Sequence, residues 1–407
     1  MKATTTNMII GRDIVIVSMQ SWDVEIGSNC KNIAAELAKD NRVLYVNYPL
    51  DRITVLRDRK DPKVKKRLSI LAKKQKDIEH IGPNLWNLYP RTILESITWL
   101  PPGTLYQKLN YLNNSRFSKR IKEAADYLEF KDIIIFNDNL IERGLYLKEL
   151  LKPASYIYYL RDNLNYNPYH RKHGEKAEKE LISKVDVVVA NSDFLADYAR
   201  KYNGHSYMVG QGCEIDLFRD EDDSIPIAEE IASIPSPIIG YIGALTSLRL
   251  DIALMIGIAA SLPEMNLVLV GPEDEAFEKS ALHELENVYF LNKRPPEQLP
   301  NFLKGFDVAL NPQLVNDLTI GNYPRKIDEY LAMGKPTVST KTPFMDYFKG
   351  DVYLAATLSE YVQMIKKALA ENTPERIASR KNTASLHTWA KSVEAIGESY
   401  LKSIKNK

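Results

Sequence analysis

With 407 residues, 44% apolar and 26% charged, the chain reads as globular and too long for one ordinary core, so two domains are expected. Two cysteines (Cys30 and Cys213) and six scattered histidines offer no disulfide framework and no metal-ligand spacing. Residues 1–7 are polar and carry no secretory signal, and the longest apolar run, 252–262, is too short for a bilayer, so a cytoplasmic location is expected.

The first strand is expected at 14–19, followed by a polar loop, a helix over 29–38 and a second strand at 42–46. Residues 51–130 are less regular and mix Trp86, Tyr89, Trp99, Tyr106 and Tyr111 with a basic run. The net charge of +1 hides an asymmetry: residues 1–200 hold 33 Lys+Arg against 25 Asp+Glu, and residues 201–350 hold 12 against 22. The excess is densest at 57–76, where ten cations face only Asp58 and Asp61. Such a run suits nucleic acid, an anionic membrane surface, a pyrophosphate-bearing acceptor or a solvated helical face. Strands resume at 133–136, 156–159 and 185–190, with a last apolar run at 207–209. Residues 214–237, with Asp220-Glu221-Asp222-Asp223 and three prolines, read as a linker. A second alternation places strands at 238–243, 267–271, 288–291, 308–311 and 337–339, and a helical tail at 389–402. Strand and helix alternate from end to end, which predicts an α/β fold of two Rossmann-like, doubly wound domains facing a cleft. The expected boundaries are 1–218, a linker at 219–237, 238–385, and a C-terminal helix at 386–407 packing back toward the first domain.

Residues 320–340 carry the most chemistry. Pro324 opens a helix, Gly334 closes it and the β-branched Thr337-Val338 follows at once. Lys326 and Glu329 are three apart and share one face. Free N–H groups at a helix start suit a phosphate, and a carboxylate one turn on can accept from both hydroxyls of a ribose. A solvated surface helix with an i,i+3 ion pair has the same pattern, so this segment needs the strand ends around it. Those ends are Gly240-Tyr241-Ile242-Gly243-Ala244-Leu245, Gly271-Pro272-Glu273, the stretch ending Lys293-Arg294, and Asn311-Pro312. Small residues after a strand let the backbone approach a diphosphate.

On these residues the chain resembles a group 1 retaining glycosyltransferase of the large family 4 type, with the GT-B fold. It is similar to bacterial cell-surface-polysaccharide enzymes of the teichuronic-acid kind. The features that carry this are 239–244, 267–272, Glu297-Gln298-Leu299-Pro300 before Phe306-Asp307-Val308, and Pro324-Arg325-Lys326 leading into Glu329 and Gly334-Lys335-Pro336. In the first half, Ala190-Asn191-Ser192 and 211–218 resemble the family's strand-end serine and crossover segment. The resemblance implies that Glu329 is the second glutamate of the family's E-x7-E pair and holds the donor ribose. Lys326 would meet the donor diphosphate, Gly243 would lie under it, and Arg294 would border the base. Gly321 stands where the first glutamate falls, and Leu250 stands where a lysine is usual. Arg249, Arg325 and Lys326 are then the candidates for the positive charge, with Asn322 beside them as a further donor-binding residue.

The implied reaction moves a hexosyl group from a nucleotide diphosphate sugar to a glycan or lipid-linked acceptor in surface polysaccharide synthesis. Cations of the chain, without a metal or other cofactor, would stabilise the departing diphosphate. Lys326 is the expected electrostatic catalyst, and Asp162, after the strand at 156–159, is a candidate for orienting the acceptor. An aspartate there also fits plain loop capping. The basic, aromatic-bearing region suggests peripheral docking on the inner membrane face through 57–76, with no nucleic acid partner. The alternatives are a catalytically inactive glycosyltransferase-like binding subunit and a GT-B nucleotide-sugar epimerase.

Overall fold

A computed structural model describes residues 8–24, 28–163, 168–316, 318–321, 323–348 and 350–405, with 168–170 as backbone alone. The chain divides into two compact units. The first comprises the residues up to Gly210 together with those from Ser392 on, and the second runs Gln211–Lys391.

The first unit is built on β1 (Asp13–Ser18), β2 (Arg42–Val46), β3 (Leu50–Asp51), β4 (Ile78–Gly82), β5 (Leu85–Leu88), β6 (Ile93–Leu94), β7 (Ile134–Asp138), β8 (Ser155–Leu160), β9 (Val187–Ala190) and β10 (Ser206–Met208). Eight of these form one sheet in the order β10-β9-β8-β7-β1-β2-β5-β4, while β3 pairs with β6. Every pair is parallel except β4 with β5. All residues of β1, β7 and β8 are buried. Helices cover both faces of such a sheet, which is why these strands read as unbroken apolar runs without alternation.

The second unit holds β11 (Ile238–Ile242), β12 (Asn266–Val270), β13 (Val288–Phe290), β14 (Val308–Asn311), β15 (Thr337–Thr340) and β16 (Val352–Ala355). They form one all-parallel sheet in the order β13-β12-β11-β14-β15-β16. Alternate residues of each strand serve opposite faces. Ile238, Ile242, Val268, Val270 and Ala309 join one core, and Ile239, Tyr241, Leu267, Leu269, Val308 and Leu310 join the other. The neighbours of β1 are β2 and β7, and those of β11 are β12 and β14. Each unit therefore reverses its strand order once, and the crevice beyond the carboxyl ends at such a reversal is where open α/β sheets bind ligands.

Two expectations need correction. The stretch 51–130 is more regular than its sequence suggests: it holds the β4–β5 hairpin and a helix of 24 residues, Thr104–Tyr127. That helix buries Asn110, Asn113, Asn114 and Ser118 beside Phe117 and Ile121, so its inner face does not show as an apolar stripe. The expected linker at 219–237 lies inside the second unit, which begins at Gln211. Phe218, Ile231 and Ile234 are buried there in its core, anchoring a polar exterior. The helix Trp389–Lys405 contributes its residues from Ser392 on to the first unit, with Val393, Ile396 and Tyr400 buried.

Candidate functional site

In the second unit, Gly243 directly follows β11 with φ +144°, a backbone angle that favours glycine. A Cβ there would come within 2.9 Å of both Lys326 Nζ and the Tyr241 hydroxyl. A Cβ on Gly271, at the end of β12, would lie 1.9 Å from the Gly243 carbonyl oxygen. Gly271 is thus required by close approach to backbone and Gly243 is favoured by its backbone angle, and the strand ends present bare backbone. The loop after Gly243 is held in place by Asp274, whose carboxylate accepts from the Ser247 N–H at 2.7 Å and its hydroxyl at 2.8 Å. It is joined to the loop after β14 by Leu314 N–H donating to the Arg249 carbonyl at 2.8 Å.

Lys326 begins the helix Lys326–Ala332. Gly334, with φ +74°, ends it as the sequence predicts, its N–H reaching back to the Leu331 carbonyl at 2.8 Å. Tyr330 pins the helix to the strand, its hydroxyl accepting from the Ile242 N–H at 3.0 Å. The Lys326 ammonium donates to the Tyr241 hydroxyl at 2.5 Å and stands 4.2 Å from the centre of that ring. Lys326 forms no ion pair among the described residues. Its charge is poised over Gly243 with Glu329 within electrostatic range but no carboxylate in direct contact among the described residues.

Glu329 lies one turn on, with its side chain 16% exposed and Arg325 Nε 3.3 Å from its carboxylate. Burial pushes the Glu329 carboxyl above its usual range, and the Arg325 and Lys326 charges pull the other way. Beside it Asp328 is fully buried, accepting from the Tyr323 hydroxyl at 2.6 Å and lying 2.7 Å from His387 Nδ1. This Tyr323–Asp328–His387 network was not foreseen, because the partner histidine is 59 residues away in sequence. In the sequence Tyr241 stands out only as part of a strand end. The signal that could have found it is an aromatic residue two positions before a strand-end glycine, on the same face as the lysine.

The other expected donor-site residues are placed differently. Arg249 is exposed on the loop after β11 and forms no ion pair among the described residues. Arg294 is not joined to Gly243 and Lys326 by any contact. Its guanidinium pairs with Glu230 at 3.0 Å, donates to the Leu291 carbonyl at 2.9 Å and packs on Phe302. Asn322 lies outside the described residues. The groups brought together are Gly243, Lys326 and, on the same short helix, Arg325 and Glu329.

In the first unit, the carboxyl ends of β1, β7 and β8 meet in an ion cluster. Asp138, buried at the end of β7, accepts from the Ser18 hydroxyl at 2.7 Å and from Arg161 Nε at 2.7 Å. Arg161 also pairs with Asp162 at 2.9 Å, and the Asp138 carboxylate holds its guanidinium above its ordinary pKa. Asp162 therefore belongs to a strand-end cluster at the sheet's reversal, tied to Arg161. Asn137 turns inward instead, its amide bridging the Leu140 carbonyl and the Tyr156 hydroxyl. Among the described residues no group of three or more His, Cys, Asp or Glu side chains is arranged to hold a metal ion.

Against known proteins, residues 236–371 match the family described as glycosyl transferases group 1. A curated relative, Bacillus subtilis (strain 168) TuaH, assigned by name to teichuronic acid biosynthesis as a glycosyltransferase, is 25% identical over 247 residues. That alignment takes in 56% of this chain and spans 60% of the length of the relative. Among solved structures, sucrose-phosphate synthase from Thermosynechococcus elongatus superimposes with a TM-score of 0.67 at 15% identity, covering 97% of this chain and 100% of that one. Anabaena Alr3699/HepE in complex with UDP gives 0.66 at 16% identity, with 97% and 100% covered. An Escherichia coli structure described as trehalose-6-phosphate bound with UDP-2-fluoro glucose gives 0.65 at 9% identity, with 97% and 99% covered. At these identities the structural likeness speaks for the fold. Residues 236–371 are thus similar to the glycosyl transferases group 1, and the chain as a whole has the GT-B fold.

Proposed function

We propose that the protein is a retaining glycosyltransferase that moves a hexosyl group from a nucleotide diphosphate sugar to a glycan or lipid-linked saccharide in surface polysaccharide synthesis. The observation that carries this is the Lys326 ammonium over Gly243 at the reversal of the second sheet. In this reading Lys326 meets the diphosphate, Glu329 accepts from the ribose hydroxyls, and Arg325 orients Glu329. Arg249 supplies a second cation from the adjoining loop, and Arg294 borders the base through its backbone surroundings.

As the bond from the anomeric carbon to the diphosphate oxygen breaks, negative charge grows on that oxygen. A fixed cation there lowers the barrier without reorganising. The acceptor oxygen bonds to the anomeric carbon on the face the diphosphate leaves, and its proton passes to a donor phosphate oxygen. Asp162, held by Arg161, orients the acceptor hydroxyl. The chain's own cations carry the charge in this scheme, so turnover should persist in a chelator.

A second reading, a binding subunit without turnover, is favoured by Gly321 standing where the family's first glutamate falls. Screening nucleotide sugars by calorimetry and then assaying transfer and donor hydrolysis separates the readings. Binding with transfer supports the enzyme, and binding without either reaction supports the subunit. Interconversion of the free donor supports an epimerase, and no nucleotide binding at all defeats the proposal.

Docking on an anionic inner membrane surface is part of the same proposal. No helix among the described residues is long and apolar enough to cross a membrane. The first unit exposes Leu56 at 81%, Trp99 at 69% and Leu105 at 61%, and the exposed cations of 57–76 follow Leu56 in the chain. Rings and aliphatic tips flanked by Lys and Arg suit a bilayer interface.

A further inference from the structure

Arg143 sits in the first unit on the short helix Ile141–Gly144, immediately beyond the carboxyl end of β7. Its backbone has little freedom: a Cβ on Gly144 would lie 2.2 Å from the Asn137 amide nitrogen, and the Tyr156 hydroxyl donates to the Gly144 carbonyl at 2.8 Å. Arg143 is only 6% exposed. Its Nη1 donates to Asn110 Oδ1 at 2.5 Å, while its Nε has no partner. No carboxylate pairs with it among the described residues. Asn110 cannot turn away, because its own amide donates to the Glu142 carbonyl at 3.1 Å.

The surroundings are polar and also incomplete. Burial pushes the Tyr48 phenol up while the Arg143 charge acts in the opposite direction, which puts that ring within reach of the guanidinium. Tyr106, four residues before Asn110 on the same helix, stacks on His173 at 3.7 Å between ring centres. His173 is 7% exposed, and its Nδ1 has no hydrogen-bond partner. Arg161, directly after β8, is less enclosed, with its side chain 20% exposed, and yet has two carboxylates.

Buried charges are ordinarily paired, because taking a guanidinium from water without a counter-charge is costly. A planar guanidinium with an unused N–H edge is shaped for an oxyanion. We infer that Arg143, backed by Asn110 and Tyr48, receives an oxyanion carried by the acceptor. This rests on the glycosyltransferase reading and deepens it by naming the acceptor's chemistry. A phosphate of a lipid carrier and a carboxylate of a uronic acid share that chemistry.

The test is calorimetry on the full chain with farnesyl phosphate and methyl glucuronide, each against its neutral counterpart, farnesol or methyl glucoside, and with UDP in parallel. The wild type is expected to prefer one anion over its neutral counterpart at least tenfold. The anion preferred tells lipid phosphate from sugar carboxylate. Arg143→Gln should lose that preference and bind UDP as before. Asn110→Asp supplies a carboxylate to the guanidinium, so it should also abolish the preference with an unchanged or higher Tm, and it decides the matter if Arg143→Gln does not fold. No anion preference in the wild type, or a preference that survives in either folded variant, overturns the inference. UDP bound without an anion preference removes this subsite and leaves the donor reading standing. An anion preference lost in the variants, without UDP binding, does the reverse.

Discussion

An ammonium that touches a tyrosine hydroxyl and, among the described residues, no carboxylate can turn its charge to a ligand, and that is the condition of Lys326. Lys326→Met should lower kcat/KM by about 100-fold, in the range seen when a fixed charge-stabilising donor is lost. UDP should bind about tenfold more weakly, the effect of losing roughly 1.4 kcal/mol of charge-assisted contact. Transfer at the wild-type rate in a folded variant would remove Lys326 from the mechanism. A second lysine in the same segment behaves differently. Lys335 is enclosed just after the helix, donating to the carbonyls of Lys304 at 2.6 Å and Phe306 at 2.8 Å, and burial holds its ammonium down to about 8. Between that value and the ordinary lysine pKa the unfolded chain binds more protons than the folded one, so stability rises as pH climbs through this window. The contribution is lost again as pH falls through about 8. Thermal melts of the wild type from pH 7.5 to 10 should show this slope, and Lys335→Met should flatten it. An equal slope in the variant would assign the effect to other groups.

The helix Lys326–Ala332 is only seven residues long, so its own hydrogen bonds cannot hold it in place. Its position depends on side-chain ties: Tyr330 to the Ile242 backbone, and Asp328 to Tyr323 and His387. Removing one member of a buried, hydrogen-bonded charged network leaves the others unpaired. His387→Ala should therefore cost about 3 kcal/mol of stability by denaturant titration. It should weaken UDP binding as well, because Lys326 and Glu329 ride on the helix that Asp328 anchors. A variant as stable as the wild type would show that the contact carries no load. Much at this scale is legible in the sequence. Pro324, Gly334 and the following β-branched residues mark the helix and β15, and strand-end glycines mark β11 and β12, since each reflects a local backbone constraint. What escapes is non-local: His387 on Asp328, Glu230 on Arg294, and Asn110 on Arg143. A polar residue's partner leaves no periodicity, so neither the anchoring network nor the capture of Arg294 by Glu230 could be read from spacing.

Over the whole chain, fully buried parallel strands announce themselves as unbroken apolar runs, and the two α/β units follow from them. The boundary at Gln211 does not, because an acidic, proline-bearing stretch looks like a linker even when a few isolated residues reach a core. Charge asymmetry is a property of this scale too. The cations of 57–76 beside exposed Leu56 should retain the protein on vesicles containing anionic lipid at low salt, with release as ionic strength rises. Equal recovery on neutral vesicles would argue against an electrostatic attraction. The first unit is discontinuous in the chain, since it includes the residues from Ser392 on. On the ribosome, its sheet emerges early but waits through all of 211–391 before the unit's last segment arrives, with Val393, Ile396 and Tyr400 to be buried. The nascent protein therefore spends the synthesis of an entire second unit with its first unit incomplete, and a chain stopped at Lys391 should be made in full yet recovered mainly with chaperones or in the insoluble fraction.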